Sequence, residues 1–288
     1  MNPNISGALF MMASMFSFTV NDAFIKMTNG AIPLCQLLLF RGALATVLFF
    51  GLAVALRGLR FDLGRKAWGL VLMRCGAEVG AAYFFLTALL HLPLANVSAV
   101  LQALPLAVTL GAFLVFKEPV GWRRAGAIIV GFFGMLLIVR PGADGFSIWS
   151  IYALIAVCFV TARDLITRKL PKDAPSLTVA LSTSAAVTVF FGVASLSEPW
   201  VALTPNLTWL ICGSAFFILG GYFFSIQTMR VGEVSFVAPF RYTSLIWALL
   251  LGFFVFGDWP ETLTFVGAGI IVSAGLFTFY RERHLARS

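Results

Sequence analysis

Ten long apolar runs separated by short polar breaks make up almost the whole chain. They lie at about 5–25, 33–56, 68–90, 93–116, 122–139, 147–169, 176–197, 207–229, 234–256 and 261–280. Runs of this length suit helices that cross a hydrocarbon core of about 30 Å at about 1.5 Å per residue. The segment from Leu92 to Glu118 is the most informative. It carries no Asp, Glu, Lys or Arg from Leu92 through Phe116, which is too long and too apolar for a helix buried in a soluble domain. Asn96, Ser98, Gln102 and Thr109 are polar positions inside it, with Pro105 between them. Ser98, Gln102 and Thr109 are spaced by four and seven residues, so one helix face is expected to carry all three.

A similar stretch returns from Val231 to Asp258. It again has Val-Ser near its start, a proline inside and an acid after its last phenylalanine. Other matches recur at nearly the same interval. Thr19 and Asp22, followed by Lys26, match Thr161 and Asp164, followed by Arg168. Glu118 matches Asp258, and Gly126 and Gly134 match Gly267 and Gly275. The sequence therefore divides into two repeats, 1–140 and 145–288, of five spans each. An odd number of spans per repeat inverts the second repeat relative to the first. The fold class expected is an all-α integral membrane protein of ten transmembrane helices, with a pseudo-two-fold axis in the membrane plane and a site near its centre.

Composition supports this. Of the 288 residues 60% are hydrophobic and 11% charged, against about 25% charged in soluble domains. The net charge of +8 comes with no basic stripe and interleaved aromatics, so nucleic acid is not an expected partner. The charge instead follows the loops. With the N-terminus cytoplasmic, the inside segments carry Arg57, Arg60, Arg65, Lys66, Lys117, Arg123, Arg124, Arg168, Lys169, Lys172, Arg230, Arg281, Arg283 and Arg287. The outside loops carry only Lys26 and Arg140. That bias predicts both termini in the cytoplasm. The first run has no basic start and no small-residue cleavage site, so it is expected to stay as the first span. Cys35, Cys75, Cys158 and Cys212 lie in apolar runs at no metal-ligand spacing and read as free, buried thiols. There is no Gly-x-Ser-x-Gly, no phosphate-binding loop and no His/Cys/acid cluster, and there are only two histidines. No enzyme, cofactor or metal is expected.

The repeats, with Pro105, Phe116 to Glu118, Gly126 and Gly134 in the first and Pro239, Phe256 to Asp258, Gly267 and Gly275 in the second, resemble the drug/metabolite transporter superfamily, EamA type. The resemblance covers essentially the whole chain. It departs where Pro105 aligns with Tyr242 rather than Pro239, and where Asp258 stands for the family's usual Glu. It implies a secondary active transporter working by alternating access across the bacterial inner membrane. The expected partners are a small-molecule substrate and the lipid bilayer, with protons as a candidate coupling ion, in a monomer or weak dimer. Export of an amino-acid-like, zwitterionic or anionic metabolite is the leading reading. Uptake of a vitamin or nucleoside-like metabolite, of the riboflavin or S-adenosylmethionine type, is the alternative, and a channel is a further one.

Charges inside spans cost about 2.5–3.5 kcal/mol each on insertion scales, so each should be paired or face water. Arg74 and Glu78 are four apart on one helix face. They form either a self-neutralised pair or a split site, with Arg74 for a carboxylate and Glu78 for an amine or proton. Arg241 stands two residues after Pro239. Its planar guanidinium suits two-pronged binding of a carboxylate. Tyr242, Trp247, Tyr83, Gln227, Gln102, Asn96 and Ser98 are further candidates for lining the site, and interhelical bonding is the other reading of the last three. Asp22, Asp164 and Glu78 are candidates for gating or proton coupling, and Arg41 for an ion pair with Asp22. Pro105 and Pro239 are expected to kink their helices.

Overall fold

The computed structural model describes residues 3–55, 59, 61–117, 121–140, 147–171, 174–231 and 234–285. Glu118, Arg57, Arg60, Lys172 and Arg287, used above for the repeat and the loop charges, lie outside the described residues. The described residues form helices and connecting turns, without a strand. The helices are α1 (Pro3–Met27), α2 (Leu34–Ala55), α3 (Arg65–His91), α4 (Leu94–Leu101), α5 (Leu104–Phe116) and α6 (Trp122–Val139). They continue with α7 (Ile148–Lys169), α8 (Ser176–Ala194), α9 (Pro205–Val231), α10 (Val234–Val237), α11 (Thr243–Phe256) and α12 (Thr262–Leu285). Among the described residues, eight segments are long and apolar enough to cross a bilayer, and the shorter apolar helices Ala125–Val139 and Thr262–Thr278 bring the number to ten. Leu114, Phe133, Val189, Phe216 and Phe254 are exposed on the outer surface, as contact with lipid tails requires.

Two spans are broken. Pro105 has no N–H to give and its ring would meet the Leu101 carbonyl one turn back, so the helix ends at Leu101 and restarts at Leu104. The Gln102 and Ala103 N–H groups turn back to Ala99 O and Val100 O at 3.2 and 3.1 Å, which keeps them bonded through the break. Consequently Ser98 and Thr109, expected on one face of one helix, belong to different helices. In the second repeat the segment Ala238–Tyr242, with Pro239 near its start, winds as a tighter 3-10 turn between α10 and α11. Both broken spans end in left-handed residues, Lys117 after α5 and Gly257 after α11.

Helix pairing obeys the inverted repeat. α1 packs on α9 and α3 on α7, and these two pairs exchange under the pseudo-two-fold. α2 with α8, α6 with α12, and α4 with α11 each cross the axis. A pair of equivalent contacts fixes the register. The Phe18 ring lies against Gly221, and the Phe159 ring against Gly80, where a Cβ would meet ring atoms at 2.6 and 2.5 Å. Both partners are shifted by 141 residues (159 minus 18, and 221 minus 80). That register makes Arg163 the repeat counterpart of Asp22 and moves Asp164 one residue away from the equivalence suggested by the acid-to-acid match. Where α6 crosses α12, Gly134 and Gly267 bring the two backbones together. A Cβ at Gly267 would stand 2.5 Å from Gly134 O. Small residues at such a crossing permit the close packing that holds helices together in lipid.

Of the four free cysteines, Cys35 and Cys75 are buried, while Cys158 and Cys212 are exposed. The expectation of four buried thiols is thus corrected for the last two. Apolar periodicity in a span does not distinguish a face toward lipid from a face toward protein.

Candidate functional site

The polar groups of the spans gather along the interior seam formed by α1, α2, α3, α7, α9 and the break in the second repeat. At the middle of α3, Glu78 accepts from Arg163 of α7, with Arg163 Nη1 at 3.2 Å from Oε2. The same guanidinium donates to Asp164 Oδ1 from Nε and Nη2, both at 2.9 Å. One arginine thus neutralises parts of two carboxylates. Arg74 does not pair with Glu78, although the four-residue spacing allows it. Its Nε donates to Thr167 Oγ1 at 3.0 Å and its Nη1 to Thr183 Oγ1, on α7 and α8. Thr167 and Thr183 pass their own protons to Arg163 O and Val179 O, both at 2.7 Å. Arg74 is therefore held by neutral acceptors, and Glu78 is left to Arg163.

Toward the end of the bundle that carries Lys26, Asn21 links two charges. Its amide donates to Asp22 Oδ1 at 2.8 Å and its oxygen accepts from Arg41 Nη1 at 3.3 Å. The expected Arg41–Asp22 pair is thus bridged by an amide. Arg41 is 9% exposed, and its Nε has no acceptor. Between the two clusters sits Tyr222 of α9, edge-on to Phe18 and Phe49 at 5.3 and 5.2 Å. Its hydroxyl is within electrostatic reach of Glu78, Arg163, Arg74 and Arg41.

Arg241 differs from these. It lies on the 3-10 turn between α10 and α11, is exposed, and is within electrostatic reach of Asp164 and Arg163. Its guanidinium makes no hydrogen bond or ion pair among the described residues. The charges that act on it, Asp164 and Arg163, belong to the interior seam. A formal charge sum points the same way. Four guanidiniums (Arg41, Arg74, Arg163, Arg241) face three carboxylates (Asp22, Glu78, Asp164) within the spans. One positive charge is left over; Arg74 meets only hydroxyls, and Arg241 alone of the four makes no side-chain hydrogen bond or ion pair among the described residues.

The remaining sequence candidates are dispersed. Gln102 is buried and donates to Ser98 O at 3.1 Å and to Ser244 Oγ at 2.9 Å, tying α4 to α11. Ser98 is buried beside it, and Asn96 has a buried oxygen without a donor. Trp247 lies edge-on to Phe16 at 5.1 Å, with its indole N–H buried and unpartnered. Tyr242 is buried with its phenol against Gly275 of α12, where an added Cβ would overlap it. Tyr83 is exposed against Phe84, and Gln227 is half-buried on α9. Sequence reasoning missed the pairing of Arg163 with Glu78, 85 residues away, and the place of Tyr222. The recurrence of Phe18 as Phe159 and of Gly80 as Gly221, each at 141 residues, was the available signal for the first, since the Phe159–Gly80 contact docks α7 on α3. Nothing in the sequence separates Tyr222 from the other aromatic residues of its run.

Broken helices crossing at the centre of an inverted repeat, with charged groups collected beside the break, define a membrane transporter. The chain belongs to the EamA-like transporter family, whose profile matches residues 5–140 and 147–280. It is similar to an S-adenosylmethionine uptake transporter of Rickettsia prowazekii, 23% identical over 97% of this chain and 94% of that one. A riboflavin transporter of Vibrio cholerae is 28% identical over 98% of this chain and 96% of the other. A pseudopaline exporter, CntI, of Pseudomonas aeruginosa is 24% identical over 93% and 94%. The relatives are thus transporters of small molecules, and the protein is a multi-pass membrane protein of a bacterial transporter family of the drug/metabolite type.

Proposed function

We propose that the protein is a secondary active transporter, not an enzyme, that exports a small amino-acid-like solute, zwitterionic or anionic, across the bacterial inner membrane by alternating access. The two repeats meet between residues 140 and 145. The observation that carries the substrate reading is the unpartnered guanidinium of Arg241 on the broken helix, beside an interior one positive charge in excess. A carboxylate on the solute completes that sum and uses the planar donor fork. An amine on the same solute competes with Arg163 for Glu78 or Asp164. Asn96, Trp247, Gln102, Ser98, Tyr242, Tyr83, Gln227 and Arg74 are the further candidates for contact with the solute along its path. Glu78, Asp22 and Asp164 are the carboxylates through which protons couple to transport. The likeness to the pseudopaline exporter supports export. The likeness to the S-adenosylmethionine and riboflavin transporters supports a second reading, uptake of a nucleoside-like or vitamin solute.

A thermal-shift screen over amino acids, flavins and adenosyl compounds separates the two. A ligand at 100 times its Kd adds about 2.7 kcal/mol to stability. Stabilisation by amino acids is the expected result, stabilisation by flavins or adenosyl compounds alone selects the second reading, and stabilisation by hydrophobic cations alone contradicts both. The loop charges support an orientation with both termini in the cytoplasm. A reporter fused after Ser288 is expected to read cytoplasmic, and a periplasmic signal contradicts this orientation.

A further inference from the structure

We propose that Lys26 and the pair Arg168 and Lys169 are the two gates of the transport path. Each closes one end of the bundle by resting on the last phenylalanine of the broken span of the opposite repeat. Lys26, in the last turn of α1, places its ammonium 5.6 Å from the Phe256 ring centroid, at the end of α11. Arg168 and Lys169, in the last turn of α7, lie 5.3 and 5.2 Å from the Phe116 ring centroid, at the end of α5. Both members lie within one residue of the 141-residue register of the repeat: 168 minus 26 is 142, and 256 minus 116 is 140. Because the second repeat is inverted, the two contacts lie at opposite ends of the bundle.

The placement suits a gate. Phe116 and Phe256 directly precede the left-handed residues Lys117 and Gly257 that end the broken spans. Those spans also carry the breaks beside the interior charges. A tilt of α5 against α7, or of α11 against α1, therefore lifts one ring from its cation and widens the path at that end alone. A cation on a ring face is attractive yet weak, so it can break on every cycle. The contacts across the repeats mean that neither gate opens by motion within one repeat.

Lys26 is held by more than the ring. Lys26 Nζ also donates to Leu92 O at 2.7 Å and Leu89 O at 3.2 Å. These carbonyls finish α3, where the helix dipole favours a cation. Lys26 thereby joins α1, the α3–α4 turn and α11. Lys169 at the other end is exposed.

The inference rests on alternating access, and its test reads shape without any solute. Ser98, buried on α4, is replaced by Cys as a reporter after Cys35, Cys75, Cys158 and Cys212 are replaced by Ala. A membrane-impermeant methanethiosulfonate is then applied to right-side-out and inverted vesicles. Lys26→Ala is expected to raise labelling from the Lys26 end roughly tenfold and to lower it from the other end, as loss of one contact in a two-state balance does. Phe116→Leu is expected to do the reverse, while Lys26→Arg and Phe256→Trp stay near the wild-type rate. Where Lys26→Ala fails to insert, Phe256→Leu gives the same reading. Labelling that changes in the same direction in both variants, or in neither, overturns the gate assignment. Counterflow by the wild-type protein tests alternating access separately, so the two failures are distinguishable.

Discussion

Arg241→Ala is expected to abolish transport while leaving the protein folded and inserted. The guanidinium holds no partner among the described residues, so its removal strands no acceptor and opens no packed core. What is lost is the binding of a carboxylate. A hydrogen bond to a charged group is worth about 1.5–3 kcal/mol, so binding weakens about 10- to 100-fold. Arg241→Lys keeps the charge but gives up the fork and is expected to fall between the two. The unfolding midpoint without ligand should match wild type in both variants, and the ligand-induced shift should shrink in the order Arg, Lys, Ala. Intact transport in Arg241→Ala would return the arginine to the scaffold, as would failure of both variants to fold. The site would then be centred on Glu78, Gln102 and Tyr242.

The second large effect is structural. Gly267→Val is expected to prevent α6 and α12 from packing and to cost about 3 kcal/mol or more. The new Cβ would stand 2.5 Å from the Gly134 carbonyl oxygen and 2.8 Å from Ile138 Cγ1. The first is backbone of another helix and cannot turn aside. Gly134→Val meets Gly267 O at 2.8 Å from the other side and should behave alike. Gly269→Ala, two residues along α12 with nothing within 4 Å, is the control and should leave stability unchanged. Thermal unfolding in detergent, read with the monodispersity of the purified protein, checks all three. Equal midpoints for Gly267→Val and Gly269→Ala would refute the close crossing.

The architecture was largely legible in the sequence, because a bilayer imposes long apolar runs and the positive loops count them. The repeat was legible because Gly126, Gly134, Gly267 and Gly275 recur at one interval. The crossing of Gly134 with Gly267 then shows why small residues stand there. The site was less legible. Spacing placed Arg74 beside Glu78 on one helix face, yet on α3 each side chain answers to a different neighbour. The Thr167 and Thr183 hydroxyls take Arg74, and Arg163 takes Glu78. Helix periodicity reports which residues share a face, and not which helix docks against it. Pro105 was visible as a breaker, but the length of the break was not. Gln102 therefore sits at the break, bonded across to Ser244, rather than within a continuous polar face. Arg41 and Asp22 were read as neighbours, and Asn21, an unremarked amide, turns out to join them.

Counterflow tests the central claim most directly. Proteoliposomes are preloaded with an unlabelled solute found to stabilise the protein and diluted into a trace of the same solute carrying a radiolabel. A carrier with one site exposed alternately to each side exchanges the two without net flux. The expected result is a transient internal accumulation of label above its external concentration, present in wild type and absent in Arg241→Ala. Equilibration without an overshoot, or an overshoot of equal size in Arg241→Ala, would contradict a carrier whose central site is built on that arginine.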